Sequence, residues 1–209
     1  MPRVPQQERA KVTVNAIVEA GFISVQRHGM SGTTTTHIAD IAGIGVGSLY
    51  EYFKNKEMIY EAMHARFVDD LVTMLQPMSA VIAHLDIVAA IHAILGELHE
   101  LLQRQDQRYL RYARSALNVD LKIAMDPVTR ALSEIIIQYL LHNPQYAQLR
   151  RFAAMSYIFI HGGMFTMVRH LSDPNSPISF DELVDGLAHM VNHYVLMEQQ
   201  LLTANNAPA

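Results

Sequence analysis

The stretch Thr33–Lys56, "TTTTHIADIAGIGVGSLYEYFKNK", holds two short apolar stripes separated by a glycine-bearing turn. The four threonines offer hydroxyl caps to the start of a helix carrying Ile38, Ala39, Ile41 and Ala42. Gly43 and Gly45 bracket a tight turn, after which Val46, Leu49, Tyr50 and Phe53 form the second stripe. Helices of about two turns are unstable alone, because nucleation is unfavourable and few bonds follow it. Both must be held by longer neighbours, an arrangement that suits a second helix which has to protrude. Short helix, turn and short helix make a helix-turn-helix. The major groove of B-DNA, about 12 Å wide, admits one such helix with the side chains near its N-terminus at the base edges. Small residues at its front, Gly47 and Ser48, allow close approach, and the N–H groups of a helix start favour phosphate.

Working outward, Val14, Ile17, Val18, Gly21, Phe22 and Val25 share one face of a preceding helix, with Gly29 as its stop. A long helix follows from about Lys56, with Met58, Ile59, Ala62, Met63 and Phe67 inward and Pro77 closing it. The rest of the chain predicts five more helices. They run from about Asp86 to Arg104, Gln107 to Val119, Asp126 to Asn143, Tyr146 to Leu171 and Phe180 to Leu202. Asp126-Pro127 is a cap with proline at the first helical position, and Ser179 with Glu182 has capping-box spacing. Arg108, Arg111 and Arg114 read as a solvated face. The fold class is therefore all-α, with about nine helices. A three-helix N-terminal domain, 1–56, leads through a connecting helix at about 57–76 to a C-terminal helical bundle, 77–202. The tail 203–209, "TANNAPA", reads as disordered.

Half of the 209 residues are hydrophobic and 17% are charged, a globular composition. The net charge of −4 argues against a nonspecific nucleic-acid coat, but it is unevenly placed. Residues 1–56 carry six Lys/Arg and four acids, and the remainder carries 10 and 16, so the N-terminal end has the positive bias of a polyanion partner. The polar start "MPRVPQQERAKVTVNA" does not read as a secretory signal, and the lack of cysteine fits a reducing cytoplasm. The most apolar segment, Phe152 to Val168, contains His161, Gly162 and Gly163 and is shorter than the roughly 20 residues of a membrane span. It reads as a buried helix, and no membrane partner is expected.

The residues Thr35-Thr36-His37-Ile38-Ala39, Ala42-Gly43-Ile44, Gly47-Ser48-Leu49-Tyr50, Tyr52-Phe53 and Lys56-Glu57 together resemble the DNA-binding domain of TetR-type transcriptional repressors. The resemblance covers roughly residues 10 to 62, without gaps. It implies a regulator rather than an enzyme, most simply a repressor, binding a near-palindromic double-stranded DNA operator as a homodimer and released by a small apolar or amphipathic effector. It also implies roles. Thr35 and Thr36 begin the second helix against a phosphate, while Val46, Gly47 and Ser48 open the recognition helix. Tyr50 and Tyr52 touch the DNA backbone, Lys56 anchors the next helix on it, and Lys54 is an additional phosphate contact. Leu49 and Phe53 pack the recognition helix onto Ile17, Ile38 and Ala42. Two residues depart from the pattern. Gly45 replaces a capping serine, and Glu51 puts a carboxylate between the tyrosines, where it could accept from a cytosine amino group.

The C-terminal part has the helix count of that family's effector and dimerisation domain but no motif of its own. Two long apolar helices, about 146–171 and 180–202, suggest one side on the bundle and the other on a second subunit. Phe67, Tyr109, Tyr112, Tyr157, His161 and Phe165 are candidates for lining an effector cavity. The 11 histidines invite metal hypotheses, but His189 and His193 lack further ligands, and Glu61-x-x-His64 occurs once where a di-iron site needs two copies. No metal, cofactor or catalytic set is expected. The rival reading is a helical-bundle enzyme or small-molecule carrier with a non-DNA role.

Overall fold

A computed structural model of the protein describes residues 6–117, 125–146, 149, 151–173 and 175–205; the regular elements among them are all helices, with no strand. The order is α1 (Gln6–Gly32), α2 (Thr35–Ala42), α3 (Val46–Tyr52), α4 (Lys56–Leu75), α5 (Met78–Ile82), α6 (Ile87–Leu117), α7 (Asp126–His142), α8 (Phe152–Leu171) and α9 (Phe180–Asn205). A single 3-10 turn, Pro144–Tyr146, lies between α7 and α8. The chain forms two compact units, Met1–Asp69 with Leu102–Ile123 and Asp70–Leu101 with Ala124–Ala209. The polypeptide passes from one to the other within α4 and α6.

The first unit has a continuous core. Ile17, Val18, Phe22 and Val25 of α1, Ile38 and Ala39 of α2, Leu49 of α3, and Ile59, Met63 and Phe67 of α4 are all buried. Gly21 permits the crossing of α1 with α4, since a Cβ there would sit 2.6 Å from Met63 Sδ. Gly29, at φ 69, interrupts α1 where the sequence puts its stop. In the second unit Met78 and Ile82 of α5 and Val128, Ile135 and Tyr139 of α7 are buried, as are Leu183, Val184, Ala188 and Val195 of α9. Ser179 and Glu182 form the reciprocal capping box: Glu182 N–H donates to Ser179 Oγ at 3.1 Å and Ser179 N–H to Glu182 Oε2 at 2.7 Å.

Several expectations are corrected. α6 is one element where the sequence predicts two; at the expected boundary between Arg104 and Gln107, Asp106 and Gln107 are left-handed at φ 55° and 61° and make a kink instead of a loop. Val119, the expected end of the second of these helices, lies outside the described residues. α5 is an unpredicted helix, because Pro77 both ends α4 and occupies the cap position of a new one. α8 starts at Phe152 and not near Tyr146, since Arg151 is left-handed at φ 55 and redirects the chain there. Met58 is exposed, because the inward stripe of α4 begins one residue later at Ile59. The last helix continues through Thr203 to Asn205, into what the sequence marks as tail, with Thr203 Oγ1 donating to Gln200 O at 2.8 Å. The rest of that tail, 206–209, lies outside the described residues.

α8 is not a buried helix. Met167 is its only buried residue among those described, and Tyr157, Ile158 and Phe165 are exposed. A helix so apolar with one open side lacks a cover within a single chain.

Candidate nucleic-acid interface

Local chemistry sets up the two short helices of the first unit. Thr34 has extended backbone and its Oγ1 accepts from His37 N–H at 3.1 Å, which caps α2. Thr33, one residue earlier, is buried and donates to Gly29 O at 2.8 Å, so the threonine run does two different jobs. α2 ends in a Schellman motif: Gly43, at φ 68, donates to Asp40 O and Ile44 donates to Ala39 O. α3 then starts at Val46 after Gly45, whose missing side chain leaves the helix without a side-chain cap. Asn55 Oδ1 accepts from Met58 N–H at 2.9 Å and caps α4. That cap went unrecognised in the sequence, although an asparagine three residues before a periodic stripe is its usual signal.

The inward side of α3 is closed. Leu49 is fully buried, Phe53 is buried at its end, and α2 packs against both α1 and α3. The outward side collects most of the residues singled out from the sequence. Gly47, Ser48, Tyr50, Glu51 and Tyr52 of α3 are exposed, as is Lys54 in the turn that follows, while Val46 is half-buried. On α2 Thr36 is exposed and Thr35 half-buried, and Thr35 Oγ1 lies 3.2 Å from Tyr50 Oη. This hydroxyl pair ties the start of α2 to the middle of α3. Lys56 is more constrained than the sequence suggests: its Nζ donates to Thr33 O at 3.2 Å and sits over the Tyr60 ring. An ammonium has three donors, so two remain for other acceptors. Tyr60 in turn donates to Met30 O at 2.7 Å, and burial raises its phenol pKa.

The six candidate effector residues divide three and three between the two units. Phe67, Tyr109 and Tyr112 are buried in the first unit, where both tyrosine rings meet Phe22 and Phe67 edge to face at centroid distances of 5.1–5.5 Å. Burial pushes the Tyr112 phenol well above its ordinary range, and its Oη lies 3.3 Å from His64 Nδ1. These side chains pack against one another in the core of that unit. Tyr157, His161 and Phe165 belong to α8 in the second unit; Tyr157 is 66% exposed and Phe165 57%. Arg108 also corrects the sequence reading of a solvated arginine face. It pairs with Glu19 and lies over the Phe22 and Tyr109 rings, packing α6 onto α1. Among the described residues no group of three potential metal ligands is found, and no helix is long and apolar enough to cross a membrane.

Residues 17–63, which contain the whole of this surface up to Lys56, match the family profile "Bacterial regulatory proteins, tetR family". This part of the chain is similar to the tetR family of regulatory proteins. By its description that family is one of bacterial regulatory proteins. The fold of most of the chain agrees with solved structures at low identity. A TetR-family regulator from Streptomyces coelicolor is similar at TM-score 0.67 and 18% identity, over 91% of this chain and 83% of that one. Another from Mesorhizobium loti reaches TM-score 0.66 at 12% identity, over 90% and 98% of the two chains. SmeT, the repressor of the Stenotrophomonas maltophilia multidrug efflux pump SmeDEF, gives 0.59 at 17% identity, with 88% of each chain covered.

Proposed function

We propose that this protein is a TetR-family, cytoplasmic, ligand-responsive repressor that binds a near-palindromic DNA operator as a homodimer. The observation that carries the reading is the two-sided α3: Leu49 is fully buried on one face while Ser48, Tyr50, Glu51 and Tyr52 stand exposed on the other. An element held this way serves recognition better than stability. Thr35, Thr36, Tyr50, Tyr52, Lys54 and Lys56 are assigned to the phosphate backbone, and Val46, Gly47, Ser48 and Glu51 to the groove. Phosphate contacts fix register and base contacts specify sequence.

The open side of α8, together with Met190, Met197 and Leu201 exposed on α9, supports a dimer interface on the last two long helices. SmeT is a repressor of a multidrug efflux pump by its description, which favours a similar class for the effector here: small, apolar or amphipathic. Such a ligand releases DNA only if it binds the two dimer states unequally, and about 1.4 kcal/mol of coupling gives a tenfold loss of operator affinity. The test is fluorescence anisotropy of a labelled operator duplex across a salt series. Affinity falls steeply with salt, because each neutralised phosphate releases counterions. An affinity indifferent to salt removes the phosphate assignments and the proposal with them.

A further inference from the structure

The first unit carries a second feature that neither the reading head nor the dimer face uses. A cleft of about 580 Å³ opens between α1 and the part of α6 beyond its kink, lined by Ile23, Gln26, Arg27, Asp106 and Arg111. Its volume lies within the few hundred to about a thousand Å³ typical of small-molecule sites, but its lining is mostly polar and cationic. We propose that this cleft binds a small organic anion through a carboxylate or phosphate group held by Arg27 and Arg111.

Three observations converge on it. First, the arginines here are not equivalent. Arg108 is engaged by Glu19 and two aromatic rings, whereas Arg27 is exposed with no ion-pair or hydrogen-bond partner among the described residues. Arg111 reaches only Gln26 O, at a long 3.5 Å, which leaves most of its five donors open. Second, Asp106 lines the same cleft, yet it forms no ion pair with either arginine. Two guanidinium groups against one carboxylate leave the cleft net positive. Planar guanidinium forks match carboxylate and phosphate oxygens in bidentate geometry. Third, the cleft wall is a strained piece of backbone. Asp106 and Gln107 are left-handed without being glycine, and Gln26 Nε2 donates to Asp106 O at 2.8 Å, so α1 itself holds the kink in place. Strain kept by a specific tether marks a site that the surrounding structure over-determines. Asp106 then offers an acceptor to a hydroxyl of the ligand, which favours a hydroxylated anion over a bare one.

The inference is independent of the apolar effector proposed above, and either can fail without the other. Isothermal titration of the full chain with inorganic phosphate, succinate and ribose 5-phosphate, in constant sodium chloride of about 0.15 M to screen loose ion pairing, tests it. Saturable binding of one ribose 5-phosphate per chain is expected, with succinate and phosphate weaker. Arg27→Ala and Arg111→Ala each weaken it about tenfold, at unchanged melting temperature without ligand. Arg27→Lys, which keeps charge but loses the fork, falls between. Absence of saturable binding with all three probes overturns the proposal. So does binding that both alanine variants retain, or a loss of operator affinity in those variants with no probe present, which would assign the arginines to DNA phosphates.

Discussion

Glu51 stands exposed on α3 between Tyr50 and Tyr52, a carboxylate where a DNA-facing helix usually gains from cations or neutral donors. Near phosphates it is repelled, and at a base edge it can accept from cytosine N4. Glu51→Ala is therefore expected to raise affinity for unrelated duplexes and to relax preference at one operator position by about 1–3 kcal/mol, read from a panel of single-base operator variants. Unchanged relative affinities across that panel would leave Glu51 as a solvent-facing side chain. A different residue-scale consequence concerns alkali. Tyr139 donates to Leu85 O at 2.9 Å, and burial, followed by the neighbouring Tyr146 and Asp86, pushes its phenol from 10.0 up to about 12. Tyr112 and Tyr60 are raised in the same direction. The unfolded chain then loses these protons first, so their contribution is complete below pH 10 and declines as pH climbs towards 12. Urea midpoints should fall above pH 10, with a shallower fall in Tyr139→Phe.

The turn between α2 and α3 depends on a single backbone conformation. Gly43 takes φ 68 and its N–H closes onto Asp40 and Ala39. Gly43→Ala forces a Cβ into that left-handed position, so chemical denaturation should show a loss of about 1–2 kcal/mol. Thr34→Ala, which removes the cap of the same helix, should lose about 1 kcal/mol. These elements were legible because their signals are local: threonine, glycine and the Ser179–Glu182 spacing act within four residues of themselves. The continuity of α6 was not, since Asp106 and Gln107 are ordinary residues whose left-handed conformation is held by Gln26 from another helix. Nor was the fate of Arg108, whose carboxylate partner is Glu19, far away in sequence. The surroundings of three candidate effector residues were not legible for the same reason. Periodicity could place Phe67, Tyr109 and Tyr112 on inward faces, but it could not say that Phe22 fills the space between them.

For the whole molecule, the apolar face left open on α8 and α9 is the main debt of a single chain to its surroundings. Met197, 56% exposed, and Phe165 lie on helices that pack against each other within the second unit. Sedimentation equilibrium should give twice the chain mass for the native protein. Phe165→Lys combined with Met197→Lys should give the single mass, and should bind a full operator far more weakly than the native dimer. A monomer in the native sample would remove the two-fold symmetry on which a palindromic site depends. The central claim, that α3 reads duplex DNA as one half of a symmetric pair, is tested most directly by selecting bound fragments from a pool of random duplexes. The account predicts an enriched inverted repeat whose half-site centres are about one helical turn of DNA, or a small multiple of it, apart. Recovery of no common sequence, or of an unpaired site with no symmetry, would contradict it.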